Sequence, residues 1–133
     1  MKKNRKIKSF LILMLVCVLS VFMFVSKKAS GDDKMAELIL FYAPGCPHCH
    51  HAMEFLEKIE KNYPDLKIIK YNTATKTGVN YYFHYTKKLG IDSKGVPLAV
   101  FGEKYELGFG DDNTTGKKYI EYIEEMINKK NIK

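Results

Sequence analysis

The stretch Leu38-Ile39-Leu40-Phe41-Tyr42-Ala43-Pro44-Gly45-Cys46-Pro47-His48-Cys49 changes its pattern twice. Glu37–Tyr42 is a short apolar run, the mark of a buried strand. Ala43-Pro44-Gly45 interrupts it with turn residues. Beyond Cys46, Met53, Leu56, Ile59 and Tyr63 recur at helical spacing, while Glu54, Glu57, Lys58, Glu60 and Lys61 fill the outward positions. The pattern predicts a helix from Pro47 to Asn62. Pro47 suits a first turn because its missing N–H has no intrahelical partner to lose, and Pro64 falls where the helix should stop. Cys46 and Cys49 therefore share one turn at a helix start.

The remaining elements follow from the same signals. Leu66–Tyr71 reads as a second strand, Asn72–Gly78 as a loop, and Val79–Leu89 as a helix closed by Gly90. Pro97–Phe101 and Lys104–Gly108 flank Gly102-Glu103, a two-residue hairpin turn. A last helix, about Thr114–Lys130, carries Ile120, Ile123 and Ile127 on one face, with Asp111-Asp112-Asn113 as its solvated cap. Tyr81-Tyr82-Phe83-His84-Tyr85 reads as a helix segment alternating between core and partly wet positions, and Met53 as a core residue. The order is β-α-β-α-β-β-α. Its strand–helix–strand start requires a right-handed crossover and a parallel pair, so the fold class is α/β with three layers, α/β/α.

A formal charge of +7 suggests a nucleic-acid partner until its distribution is considered. Lys2, Lys3, Arg5, Lys6, Lys8, Lys27 and Lys28 account for all of it; from Gly31 onward 15 lysines face 15 acids, with no arginine. The folded part has no concentrated basic face, and nucleic acid is excluded as its expected partner. Residues 1–30 read as a signal or anchor: a basic stretch precedes the 16-residue apolar run Phe10–Val25, which is expected as an N-terminal hydrophobic helix. More positive charge before the run than after it places the domain outside. The expected location is the cell membrane, single-pass with the domain extracytoplasmic; secretion after signal cleavage is the alternative. Cys17 lacks a small residue before it, as a lipoprotein site would have, and reads as a membrane-helix residue. Residues 31–35 form a linker, and 36–133 the domain.

Cys46-Pro47-His48-Cys49 carries the chemistry. Unpaired N–H groups and the positive end of a helix stabilise a thiolate over a thiol, which lowers the pKa of Cys46. That thiolate attacks a disulfide, and Cys49 resolves the mixed disulfide. His48 adds positive charge beside it. Three other readings stay open. Cys46-Pro47-His48-Cys49-His50 also fits the haem c attachment pattern, though haem would need an exposed loop. Cys46, Cys49, His50 and His51 could bind zinc or copper, though four ligands within six residues converge poorly from a helix start. A purely structural disulfide would close too small a loop to stabilise much.

The segment from Leu38 to Cys49 resembles the strand, turn and redox helix of the thioredoxin superfamily, and Val96-Pro97 resembles its cis-proline. The resemblance covers about residues 35–130 and implies a minimal, glutaredoxin-like version of the fold. Pro-His between the cysteines, with Val before the proline, is similar to bacterial disulfide oxidases of the DsbA type. Two features depart from that type: the chain has no room for a large helical insertion, and Leu40 stands where many members bury an acid. The resemblance implies a thiol–disulfide oxidoreductase with a Cys46–Cys49 redox disulfide, tuned by His48. Val96, Pro97 and Pro47 would flank the substrate. No cofactor and no metal are implied. Expected partners are cysteine-containing exported proteins and a membrane electron donor or acceptor, with oxidation favoured over reduction. The alternatives are a dedicated thiol reductase, for instance for apocytochrome c or a repair enzyme, and a Cys/His metal carrier.

Overall fold

The computed structural model describes residues 35–92 and 94–132. The expected anchor at residues 1–30, Cys17 within it, and the linker up to Lys34 lie outside the described residues. Among the described residues no helix is long and apolar enough to cross a membrane.

The element order matches the one predicted: β1 (Ala36–Tyr42), α1 (Pro47–Glu60), β2 (Leu66–Asn72), α2 (Lys76–Lys88), β3 (Leu98–Phe101), β4 (Lys104–Leu107) and α3 (Thr115–Asn131). The four strands lie in the order β2-β1-β3-β4. β1 and β2 run parallel, Leu38 opposite Ile68, whereas β3 is antiparallel to both β1 and β4. This sheet order with two crossover helices and a closing hairpin is the minimal thioredoxin-like fold.

Alternation along β1 sorts the core into two layers. Leu38 and Leu40 pack with Ala52, Phe55 and Leu56 of α1 and with Tyr119 and Ile123 of α3. Ile39 and Phe41 point through the other face and pack with Tyr82 of α2. β3 repeats the division, with Ala99 and Phe101 on the first side and Leu98 and Val100 on the second. Every residue from Leu38 to Phe41 is buried, which is why β1 reads as a continuous apolar run rather than an alternating one. Truncating Leu40 or Phe41 to Ala would remove about 3 kcal/mol or more.

The largest boundary difference from the sequence reading is at α2. α2 starts at Lys76, not Val79, because the Thr75 side chain caps it by accepting the Gly78 N–H at 3.0 Å. Gly78 is a helix residue pressed against β2: a Cβ there would sit 1.8 Å from the Asn72 carbonyl oxygen. The glycine reflects this close approach rather than a loop.

The Tyr81–Tyr85 segment divides as helical geometry requires. Tyr82 is buried, whereas Tyr81 and Phe83 are exposed, Tyr81 stacking on Tyr71 at 4.6 Å. Met53 is half-buried against the core.

Candidate active site at the start of the first helix

Register brings the site together. Phe41 pairs with Leu98, so the chain leaving β1 towards Cys46 passes beside Val96-Pro97, the residues entering β3. Leu98 pairs in turn with Leu107, and the Gly108 N–H donates to the Pro97 carbonyl at 2.7 Å. Phe109, just beyond β4, is thereby carried to the same end of the sheet. Three neighbouring strand ends supply Cys46, Val96 and Phe109.

Between β1 and α1 the chain turns sharply, the Cys46 N–H donating to the Ala43 carbonyl at 3.4 Å. Gly45 occupies the left-handed region there with φ of 73°, which a side chain would oppose. Cys46 is extended and occupies the N-cap position of α1. Its sulfur accepts the Cys49 N–H at 3.2 Å, the place a Ser or Asp oxygen fills in an ordinary cap. No acidic residue stands in the first turn to offset the positive helix end.

Cys46 and Cys49 form a disulfide with their Cα atoms 5.2 Å apart. Their environments differ sharply: Cys49 is 0% exposed, whereas Cys46 is half-buried. Only the first sulfur is open to attack from solvent. The Cys46 sulfur also lies 3.8 Å from the Val96 carbonyl oxygen. The Val96-Pro97 bond is cis, as the resemblance implied. Pro97 is buried, Val96 half-buried, and Pro47 exposed beside Cys46.

His48 is exposed, and its Nδ1 lies 2.9 Å from the Phe109 carbonyl oxygen. A carbonyl only accepts, so Nδ1 carries the proton, and this bond orients the ring. The loop leading to α3 is itself braced. Asp111 Oδ1 accepts the N–H groups of Asn113 and Thr114 at 2.8 and 2.9 Å. Those donors, Thr114 foremost, hold the Asp111 carboxyl below its usual range. Asp111 thus closes the turn ahead of α3 rather than capping the helix as expected: the N-cap position falls to Thr114, whose side chain makes no capping bond.

The other histidines stand apart from the sulfurs' hydrogen bonds. His50 faces Glu54 one turn on at 3.2 Å, and His51 is exposed. Among the described residues no three His, Cys, Asp or Glu side chains converge as a metal site. Haem attachment would need both sulfurs accessible, and complete burial of Cys49 opposes that. Leu40 is 0% exposed, and no carboxylate is buried among the described residues. A proton leaving Cys49 has no internal carboxylate to receive it.

The Phe109 carbonyl was not foreseen from sequence, since a backbone acceptor 61 residues away leaves no local signal. The cysteines, His48 and Val96-Pro97 were foreseen and are gathered at one end of the sheet.

No protein-family model matches the chain, and no curated protein matches its sequence. Among solved structures it is similar to thioredoxin O2 from Arabidopsis thaliana in the oxidised state. That similarity has a TM-score of 0.48 and 20% identity, covering 68% of this chain and 76% of that one. It is also similar to a glutaredoxin from Archaeoglobus fulgidus, with a TM-score of 0.46 and 20% identity, covering 68% of this chain and 95% of that one. What makes this chain thioredoxin-like is its own sheet order and the proline loop set beside the helix-capping cysteine.

Proposed function

We propose that the protein is a thiol–disulfide oxidoreductase acting on cysteines of extracytoplasmic proteins, and that it works mainly as an oxidant. The observation that carries this reading is the pairing of a half-open sulfur, Cys46, at the N-cap of α1 with a fully buried one, Cys49.

In the oxidising direction, a substrate thiolate attacks the Cys46 sulfur. The Cys46–Cys49 bond breaks, Cys49 leaves and takes up a proton, and a mixed disulfide with Cys46 forms. A second substrate thiolate then attacks the substrate sulfur of that bond. The substrate disulfide forms and Cys46 departs as a thiolate. Two electrons have moved from the substrate to the protein, and a membrane electron acceptor must remove them to restore the disulfide.

Two features support this direction. The helix end and the Cys49 N–H stabilise the departing Cys46 thiolate, which stabilises the dithiol form and makes the disulfide a stronger oxidant. In reverse, Cys49 must lose its proton inside an apolar environment with Leu40 in place of an acid, and burial there opposes ionisation. The Val96 backbone, beside the Cys46 sulfur, is placed to pair with an extended substrate segment. Location is inferred from the charge asymmetry around Phe10–Val25, which favours a membrane tether with the domain outside.

The test is the equilibrium with glutathione together with turnover of a reduced, unfolded cysteine-containing protein. A midpoint potential above about −200 mV, with Cys46→Ser inactive, is expected. A value near about −270 mV would instead assign the protein to reduction. A membrane-impermeant thiol reagent that fails to label Cys46 on intact cells, after reduction with an equally impermeant reductant, would remove the extracytoplasmic placement.

A further inference from the structure

We infer that Tyr82 is a positioning residue for substrate, its buried hydroxyl clamping Gly95 and so setting the Val96 backbone beside Cys46. This rests on the thiol–disulfide exchange proposed above.

Tyr82 belongs to α2 and is 7% exposed, packed among Ile39, Phe41, Ile91, Leu98 and Val100. Its ring meets Phe41 edge to face at 5.5 Å, and Phe41 is the β1 residue leading towards the cysteine turn. Filling this space asks only for an apolar ring. A phenol adds a hydroxyl whose burial is unfavourable unless it is hydrogen-bonded.

The partner of that hydroxyl is specific. Tyr82 Oη accepts the Gly95 N–H at 2.9 Å and donates to the Gly95 carbonyl at 3.1 Å. Donor and acceptor capacities are both directed at one backbone residue. Gly95 lies outside every helix and strand, and the residue after it is Val96, whose carbonyl oxygen is 3.8 Å from the Cys46 sulfur.

The logic is one of division of labour. A loop that offers backbone groups to a substrate strand cannot also spend them on its own secondary structure. Its position must be fixed from the adjacent residue, and Tyr82 does this through Gly95. The substrate class that benefits is an extended cysteine-containing peptide whose main chain lies along Val96, rather than a small thiol that needs only the sulfur.

Two measurements decide the matter. In the wild-type protein, the Gly95 amide hydrogen is expected to exchange at least about a hundredfold more slowly than an open loop amide. In Tyr82→Phe, with folding checked by circular dichroism, that protection disappears. KM for oxidation of a reduced two-cysteine peptide then rises about tenfold, and kcat stays within about twofold. Fast Gly95 exchange in the wild type overturns the clamp, and this holds even should the variant fail to fold. A folded variant with unchanged KM, or with the loss in kcat alone, also overturns it while leaving the oxidoreductase reading intact. A wild-type protein whose disulfide oxidises no peptide thiol at all removes both.

Discussion

The backbone N–H of Cys49 donates to the sulfur of Cys46 across 3.2 Å, so the cap of the first helix and the half-buried redox sulfur are the same atom. A thiolate accepts a hydrogen bond more strongly than a disulfide sulfur does, since charge-assisted bonds are the stronger kind. Reduction should therefore tighten the helix start rather than loosen it.

Stability in the two redox states follows from this cap. The three-residue separation of the cysteines lets the disulfide constrain little of the unfolded chain. The reduced protein is expected to resist urea better than the oxidised one by about 1 kcal/mol or more at neutral pH. The sign follows from linkage: a thiol pKa depressed by folding contributes fully above the unfolded value, about 8.5, and its contribution is lost as pH falls through the folded value. Urea titrations of both forms between pH 4 and pH 9 check this. An oxidised form that is more stable throughout would contradict it.

Accessibility divides the labour between the sulfurs. With Cys49 fully buried and Cys46 half-buried, iodoacetamide should modify Cys46 and spare Cys49 in the freshly reduced native protein. Peptide mapping by mass spectrometry gives the site. For the same reason Cys49→Ser should accumulate mixed disulfides through Cys46, and Cys46→Ser should accumulate none.

His48 is tied to the Phe109 carbonyl, which fixes its ring at the helix start. His48→Ala should raise the Cys46 thiol pKa and make the disulfide less oxidising. A shift of about 30 mV corresponds to about 1.4 kcal/mol for this two-electron couple, so a fall of tens of millivolts in glutathione equilibria is the expected size. An unchanged potential would show that the histidine only caps the Phe109 loop.

Acid should weaken that loop through Asp111. The Thr114 and Asn113 N–H groups hold its carboxyl below the usual carboxylate range. A depressed folded pKa means that the contribution is present above the unfolded value and is lost as pH falls through the folded one. Asp111→Ala should therefore melt below the wild type at pH 6, with the gap closing as pH drops below about 4. Thermal melts across that range provide the comparison. A gap independent of pH would place the effect elsewhere.

Much of this architecture was legible because its signals are local. The apolar run of β1, the turn at Ala43-Pro44-Gly45 and the helical spacing of Met53, Leu56 and Ile59 each lie within a few residues. The cysteine spacing and Val96-Pro97 were equally plain. What escaped depends on contacts formed only after folding. Gly78 looked like a loop residue, yet it is the point where α2 presses on the Asn72 carbonyl. The partners of His48 and Tyr82 are backbone groups of Phe109 and Gly95, and a backbone group has no identity in a sequence.

The decisive measurement is the acidity of Cys46 in the reduced protein, followed by thiolate absorbance near 240 nm as pH is raised, with Cys17→Ser and Cys49→Ser together leaving it the single thiol. Capping by α1 leads to ionisation below about pH 7, well under the free-thiol value. Titration of Cys46 near 8.5, as for an unperturbed cysteine, would contradict the proposed chemistry at its root.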